Sequence, residues 1–275
     1  MRVPVFQFDA FSATAFGGNP AAVVLLDDEA PDHNVLQAIA AEMNLSETAF
    51  ATRRPDAEWN LRWFTPLTEV DLCGHATLAS AACLFDAGRL GSDTAERAEV
   101  VFHTRSGPLT CVVSRVDGQA ISVEMDFPAT YTEPVSDTTS LSDALGAEVI
   151  DAGSAFDLVA QLRTPQQVRA LTPDISAVER LDARAVVVTA AGDVDGGEAD
   201  FVSRVFAPRL GIAEDPVTGS AHTILATWWS KRLSKTSLKA HQVSARGGRL
   251  GLMLDGDRVA ISGTAAKVME GTLLI

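Results

Sequence analysis

Residues 62–66 read RWFTP, and residues 204–208 read RVFAP, 142 positions later. After each of these segments a small-residue step leads into an apolar run, CGHATLASAACLF from Cys73 and TGSAHTILATWW from Thr218, 145 positions later. Two similar segments that occur twice in the same order, at nearly the same offset, indicate an internal repeat.

A third pair of similar segments supports the repeat. VDGQAISVEM starts at Val116 and LDGDRVAISG starts at Leu254, an offset of 138 positions. Both contain an Asp-Gly pair, at 117–118 and at 255–256, between alternating segments, which is the strongest short-range signal for a β-hairpin. We therefore predict that the chain holds two copies of one domain.

The helix of each copy is expected to be buried. In the first copy it begins at Gly74 and ends before Gly88, a residue type that suits a left-handed C-terminal cap. The second helix is expected from about Gly219 to Trp229. Both are small or apolar on almost every side, which is the pattern of a buried helix. Strands around one buried helix, twice over, predict an α+β fold of two related domains.

The composition argues against several classes of partner. A formal net charge of −14 repels phosphate groups, so neither nucleic acid nor an anionic membrane is expected as a partner. The chain has no apolar run of about 18 or more residues that could span a bilayer. The first residues read as a strand and not as a signal peptide, and the three cysteines show no disulfide or metal spacing. A cytoplasmic protein is therefore expected.

The two helix starts predict an anion-binding site. Each helix opens with a glycine followed by a histidine or a small polar residue, Gly74-His75 and Gly219-Ser220. The first amides of a helix lack partners within it and lie at the positive end of its dipole. If the two domains face each other, these starts meet in a cleft that suits a carboxylate substrate. Asp215 near one start and Cys73 near the other add titratable groups for acid–base chemistry.

Four segments resemble the signature segments of the phenazine-biosynthesis PhzF-like isomerases. They read FGGNPAAVV (16–24), NLSETAF (44–50), RWFTPLTEVDLCGHATLASA (62–81) and EDPVTGSAH (214–222). The wider relatives of that family, diaminopimelate epimerase and proline racemase, share one two-domain fold. The resemblance implies two pseudo-symmetric domains, each a β-barrel-like sheet wrapped around a central buried helix.

On that fold we expect the first domain to span residues 1–128 and the second to span residues 129–264, with a C-terminal strand, about 265–275, returning to the first. The resemblance also implies a homodimer. It further implies acid–base isomerisation of a small carboxylate-bearing molecule, of the phenazine-biosynthesis type and without a cofactor.

The resemblance assigns roles to individual residues. In PhzF-like enzymes the glutamate of the SETAF segment shuttles a proton, and that residue here is Glu47. The matching histidine, aspartate and serine complete the predicted catalytic set; they are His75, Asp215 and Ser220. The residues predicted to bind substrate are Asn19, Cys73, Gly74, Thr218 and Gly219. No metal is predicted, because too few ligands accompany Cys73 and His75.

Two alternatives stay open beside the isomerase. The related epimerases use two cysteines, one at each helix start, but Thr218 stands at the second position. Because a threonine hydroxyl is far too weak a base to replace a thiolate, the first alternative is an epimerase or racemase with an unequal pair of bases. The second is a catalytically silent carboxylate-binding protein. The carboxyl group of Glu47 in an apolar segment argues against this alternative. The sequence does not identify the substrate.

Overall fold

The chain folds into two units of similar construction. A computed structural model describes residues 2–27, 29–91, 96–116, 120–194 and 196–275. The first unit comprises Met1–Asp126 together with Ser262–Ile275, and the second comprises Phe127–Ile261. The hairpin turn predicted at residues 117–118 lies outside the described residues. No helix in the described ranges is both long and apolar enough to cross a bilayer.

The helices and strands have the following bounds. The first unit contains β1 (Arg2–Ala10), β2 (Asn19–Leu26), α1 (His33–Met43), β3 (Glu47–Arg53), β4 (Trp59–Phe64), β5 (Glu69–Val70), α2 (Gly74–Asp86), β6 (Arg97–Thr104), β7 (Gly107–Val116) and β8 (Ala120–Pro128). The second contains β9 (Glu133–Pro134), α3 (Thr139–Leu145), β10 (Asp151–Ser154), β11 (Leu158–Gln161), α4 (Pro165–Ala170), α5 (Ile175–Arg180), β12 (Val186–Ala191), β13 (Phe201–Ala207), β14 (Ile212–Asp215), α6 (Gly219–Leu233), β15 (Ser237–Gln242) and β16 (Gly248–Asp255). Strand β17 (Arg258–Leu274) begins in the second unit and enters the first at Ser262.

The strands of the first unit close on themselves. β1 pairs antiparallel with β2 and with the last part of β17, where Ala10 pairs with Ala265. β2 runs parallel to β3, β3 antiparallel to β4, β4 parallel to β6, and β6, β7 and β8 follow in antiparallel order. Because β8 also pairs with β17, these eight described strands form a closed barrel. Helix α2 packs against β1, β2, β3 and β7, and each of its residues from His75 to Phe85 is buried.

The second unit repeats the same order of pairings. β10 is antiparallel to β11, β11 parallel to β12, β12 antiparallel to β13, β13 parallel to β15, and β15 antiparallel to β16. Gly256, with a φ of 59°, and Asp257 form the turn between β16 and β17 that the second Asp-Gly pair predicts. Helix α6 is buried from Ala221 to Trp229 and extends beyond its predicted end to Leu233. The predicted α+β fold with a central helix in each half is confirmed.

A repeated ion pair explains why the segments RWFTP and RVFAP recur. In the first unit the guanidinium of Arg62 donates to both carboxylate oxygens of Glu69, at 2.7 and 2.8 Å. In the second unit Arg204 binds Glu214 in the same bidentate way, also at 2.7 and 2.8 Å. Each guanidinium also lies over the ring of the phenylalanine two positions later, 5.1 and 5.0 Å from the ring centre. The arginine therefore joins the fourth strand of each repeat to the segment that leads into the central helix.

A left-handed glycine determines where β2 begins. Gly18 has a φ of +61°, and a Cβ atom there would lie 2.1 Å from the carbonyl oxygen of Ala10. The chain can therefore turn back after β1 only because residue 18 has no side chain. Asn19 follows directly as the first residue of β2.

The structure places His222 in the core of the second unit. Its Nδ1 donates to the carbonyl oxygen of Thr218 at 2.7 Å, its Nε2 lies 3.4 Å from Ser203 Oγ, and its ring stacks on Phe201. Burial lowers the pKa of His222 to about 4, so the ring is neutral at physiological pH. These contacts indicate a structural role for this histidine.

Replacing Gly18 with alanine should destabilise the first unit more than the same change at Gly107. Both glycines have positive φ, which alone costs an alanine roughly 1–2 kcal/mol. A Cβ atom at residue 107 would meet nothing within 4 Å, whereas at residue 18 it would collide with backbone. Chemical denaturation followed by circular dichroism should show the larger loss for Gly18→Ala. Equal losses would show that this turn tolerates a side chain.

Protonation of His222 should destabilise the fold as the pH falls. Its pKa is about 4 in the folded chain and about 6.5 when unfolded, so its contribution is complete above about pH 6.5 and declines by about 3 kcal/mol towards pH 4. The His222→Asn variant, which keeps a donor for Thr218, should lose this part of the pH dependence. Urea denaturation of both proteins between about pH 7 and pH 4.5 measures the difference. Parallel stability curves would contradict the assignment.

Candidate active site

Strand β3 and helix α2 bring three chemically active side chains together in the first unit. β3 begins at Glu47, which pairs in parallel register with Ala21 of β2. Cys73 has an extended backbone, with φ −146° and ψ 107°, and α2 begins at the next residue, Gly74. Because α2 packs against β2 and β3, the start of the helix lies beside the start of β3. Glu47, Cys73 and His75 meet at this point, and we call them the Glu47 cluster.

His75 contacts both other members of the Glu47 cluster. Its Nε2 lies 3.1 Å from Glu47 Oε2, and its Nδ1 lies 3.5 Å from Cys73 Sγ. The side chains of His75 and Glu47 are only 6% and 13% exposed. A carboxylate and an imidazole so poorly solvated interact more strongly than they would in water.

The protonation states in the Glu47 cluster follow from burial and from one charge. Burial, with a contribution from the Glu47 carboxylate, raises the pKa of the Cys73 thiol to about 11, so the thiol is neutral at physiological pH. Burial alone would lower the pKa of His75, but its interactions with Cys73 and Glu47 raise it well above its usual value. With the thiol neutral, the charge that holds the imidazolium is the Glu47 carboxylate. The cluster therefore pairs a carboxylate with a cationic histidine, an arrangement suited to proton transfer.

Within the part of the chain that the structure describes, the same three side chains form the group that could hold a metal ion. One ligand atom from each lies within 4.8 Å of the others. A protein metal site needs a deprotonated thiol and a neutral imidazole. The raised pKa values of Cys73 and His75 mean that a metal would have to displace a proton from both.

The residue before each central helix does not cap the first amides of that helix with its side chain. Cys73 precedes α2 and Thr218 precedes α6, and neither forms a side-chain capping hydrogen bond. The short helices α4 and α5 differ, because Thr164 and Asp174 accept hydrogen bonds from their first amides. In α2 and α6 the N-cap side chain therefore takes none of the hydrogen bonds that the first amides can donate.

Hydrogen bonds from one buried glutamine hold the segment before α6. Gln242, on β15, donates to the carbonyl oxygen of Asp215 at 2.7 Å and accepts from the amide of Thr218 at 2.9 Å. The hydroxyl of Thr218 in turn donates to the Asp215 carboxylate. Asp215 and Thr218 are thus partners, and the threonine hydroxyl is already engaged as a donor.

A second group of charged and polar side chains lies at the start of α6. Arg184 donates to the hydroxyl oxygen of Ser220 at 3.1 Å and to both carboxylate oxygens of Asp157 at 2.8 Å. The Asp157 side chain is fully buried, and the guanidinium also lies 4.8 Å from the ring centre of Phe156. We call Asp157, Arg184 and Ser220 the Ser220 cluster. In the repeat, Ser220 occupies the position that His75 has in the first copy.

The sequence-predicted residues divide between the two units. In the first unit Glu47, Cys73, Gly74 and His75 lie together, and Asn19 begins β2 two residues before the partner of Glu47. In the second unit Asp215, Thr218, Gly219 and Ser220 lie together at the start of α6. Their roles in catalysis and binding stay predictions.

Sequence reasoning missed Asp157, Arg184 and Gln242. The parallel register that pairs Leu158 with Val186 is what brings Asp157 beside Arg184. Alignment of the two copies over β11 and β12 could have identified this pair. The connection between β12 and β13 has nine residues, however, whereas the connection between β3 and β4 has five. A fixed offset therefore fails in this part of the chain.

Comparison with known proteins identifies one family. The family model described as "Phenazine biosynthesis-like protein" matches residues 8–271. An uncharacterized isomerase of Pseudomonas aeruginosa is 47% identical over 274 residues, which is 99% of each chain. A crystal structure of a PhzF-family phenazine biosynthesis protein from Enterococcus faecalis is 42% identical, covers 100% of both chains and has a TM-score of 0.90.

The fold extends to more distant enzymes. A hydroxyproline epimerase from Agrobacterium vitis, solved with bound trans-4-hydroxy-L-proline, has a TM-score of 0.64 over 99% of this chain and 91% of its own. At 12% identity this likeness shows the fold alone.

Removing the Glu47 carboxylate should lower the pKa of His75. In the wild type the pKa is raised by the interactions with Cys73 and Glu47, and in Glu47→Gln the contribution of the carboxylate is lost, so the midpoint should fall. NMR titration of histidine-labelled protein measures both midpoints. The signal of buried His222 should be the same in the two proteins and serves as the control. An unchanged His75 midpoint would contradict the paired assignment.

Proposed function

The chain belongs to the phenazine biosynthesis-like family and is an isomerase, and from that premise we propose that it moves a proton within a small carboxylate-bearing metabolite by acid–base catalysis. The observation that supports this proposal most directly is the contact of 3.1 Å between the nearly unexposed side chains of Glu47 and His75 in the first unit. A carboxylate fixed in position beside a histidine that carries a proton can act as a general base in proton transfer.

In the proposed reaction Glu47 takes a proton from a carbon next to a double bond or a carboxyl group. The electron pair of the broken C–H bond moves into the conjugated system, and Glu47 returns the proton to another carbon on the same face. The cationic His75 stabilises the carboxylate before the transfer and donates a hydrogen bond afterwards. Atoms and electrons balance without an external oxidant or reductant, so the proposal needs no cofactor.

Substrate binding is proposed for the uncapped helix starts. The first amides of α2 and α6, at Gly74 and Gly219, are suited to a carboxylate. Asp215 and Ser220 are proposed to orient the polar groups of the substrate, and Asn19 lies two residues before Ala21, the partner of Glu47 on β2. Hydrogen bonding at amides requires no lysine, which is compatible with a net charge of −14.

The structure favours one base over two. The Thr218 hydroxyl donates to Asp215, and the Cys73 thiol has a pKa of about 11. Neither group is a strong base near neutral pH, which argues against an epimerase or racemase that uses both. The homodimer, the cytoplasmic location and a place in phenazine biosynthesis stay predictions from the family resemblance.

Proton NMR in deuterated buffer tests the proposed function. A panel of cyclic dienoic and amino carboxylates, including dihydrohydroxyanthranilate, is incubated with wild type, with Glu47→Gln and with Glu58→Gln. Deuterium should enter a carbon position with the wild type, and Glu47→Gln should slow this by about 100-fold or more. Glu58 also contacts a histidine, His103, but at the protein surface, so Glu58→Gln should match the wild type.

Two results would count against the proposal. Full exchange by Glu47→Gln would remove Glu47 as the base. If no protein exchanged any compound while calorimetry still showed carboxylate binding, the catalytically silent binding protein would be the better description.

A further inference from the structure

The two copies of the repeat carry opposite charges beside equivalent helix positions. In the first unit the carboxylate of Glu47 contacts His75, and in the second the guanidinium of Arg184 contacts Ser220, the residue that matches His75. The first contact joins the start of α2 to the first residue of β3. The second joins the start of α6 to Arg184, two residues before β12. The scaffold is shared, but the chemistry at this point differs.

We propose that Arg184 is a positioning residue that orients the Ser220 hydroxyl towards an acidic group of the substrate and so sets a preference for acids over their uncharged analogues. This inference rests on the proposed function, in which Ser220 contacts the substrate.

The hydrogen bond from Arg184 determines what the Ser220 hydroxyl can do. Arg184 donates to Ser220 Oγ, so this oxygen acts as an acceptor and its own proton points elsewhere. Among the described residues none accepts a hydrogen bond from that hydroxyl. A hydroxyl polarised by a neighbouring cation is a better donor, and hydrogen bonds to a charged acceptor are the stronger ones.

Arg184 is held rigidly enough to orient its neighbour. Asp157 is fully buried and takes two of the guanidinium hydrogen bonds, and the ring of Phe156 lies under the guanidinium plane. Bidentate pairing and stacking fix the direction of the remaining donors in a way that a lysine could not reproduce. The same guanidinium also donates to Ser220.

The charges near α6 show why a cation is needed there. Asp157 belongs to the Ser220 cluster, and Asp215 interacts electrostatically with Arg184. Without Arg184, two aspartates would lie at the start of the helix and would repel an anionic ligand. Arg184 offsets part of this repulsion.

Binding of a matched pair of probes tests the role of Arg184. The probes are 2-aminobenzoate and 2-aminobenzamide, which share a ring and differ in charge. Calorimetry measures the affinity of each probe for the wild type and for four variants: Arg184→Met, Arg184→Lys, Ser220→Ala and the double variant Arg184→Met/Ser220→Ala. Wild type should prefer the acid. Arg184→Met should weaken acid binding by roughly tenfold to a hundredfold and change amide binding less than about twofold.

The double variant separates a positioning role from a general structural one. If Arg184 acts through Ser220, adding Ser220→Ala to Arg184→Met should cause little further loss. Arg184→Lys keeps the charge but not the fork, so it should restore only part of the acid preference. Additive losses, equal losses for acid and amide, or failure of the wild type to bind the acid would each overturn the proposal.

Two further variants control for folding. Arg232 also pairs with an aspartate, Asp151, and lies over an aromatic ring, Trp228, but near the other end of α6. Arg232→Met should therefore bind both probes as the wild type does. The double variant Asp157→Asn/Arg184→Met also removes the buried carboxylate that Arg184→Met alone would leave without its partner. It should lose the preference for the acid probe as Arg184→Met does, even if the single variant folds poorly.

The outcome is distinguishable from failure of the proposed function. Glu47→Gln should lose proton exchange but keep the preference for the acid probe. If the wild type exchanges no proton yet its acid preference depends on Arg184, the proton-transfer proposal fails and this one stands. If exchange depends on Glu47 while Arg184→Met keeps full acid affinity, only the positioning role is wrong.

Discussion

The need of the first amides of a buried helix for hydrogen-bond partners is the constraint on which both candidate sites depend. Helix α2 is buried from His75 to Phe85 and helix α6 from Ala221 to Trp229, and neither is capped by the side chain of the residue before it. Amides in that position must find partners, because an unsatisfied buried donor is costly. The barrel of the first unit holds its helix in place, so that its first amides lie at a fixed point beside the starts of β2 and β3.

Duplication of one scaffold has left two different chemistries at equivalent points. Both copies keep the bidentate pair of an arginine and a glutamate, Arg62 with Glu69 and Arg204 with Glu214, that joins a strand to the segment before the helix. At the helix start itself the copies diverge, to an anionic carboxylate in the first and a cationic guanidinium in the second. The repeated ion pair is the same in both copies, whereas the charge of the residue beside the helix start differs.

The protonation states of the two buried histidines, His75 and His222, have one physical origin. In the Glu47 cluster a poorly solvated carboxylate raises the pKa of His75, while burial raises that of Cys73. At His222, only three residues after the start of α6, burial acts without a nearby carboxylate, and the pKa falls to about 4. Two buried histidines on equivalent helices therefore differ in charge because only one of them faces an acid.

The sequence alone determined the repeat, the two buried helices and the family, because these rest on local composition and on segments that match at short range. Glu47, His75 and Ser220 were accessible for the same reason, since each lies in a segment with a recognisable pattern, although their catalytic roles stay predictions. Only the tertiary structure decided that Asp157 meets Arg184, that Arg184 meets Ser220, and that Gln242 holds the segment before α6. These contacts join residues that are 24 to 36 positions apart in the sequence. The connection between β12 and β13 is longer than its counterpart between β3 and β4, so a fixed offset between the two copies does not identify the equivalent residues there. Strand register is set by packing of the whole sheet, which no short segment of the chain encodes.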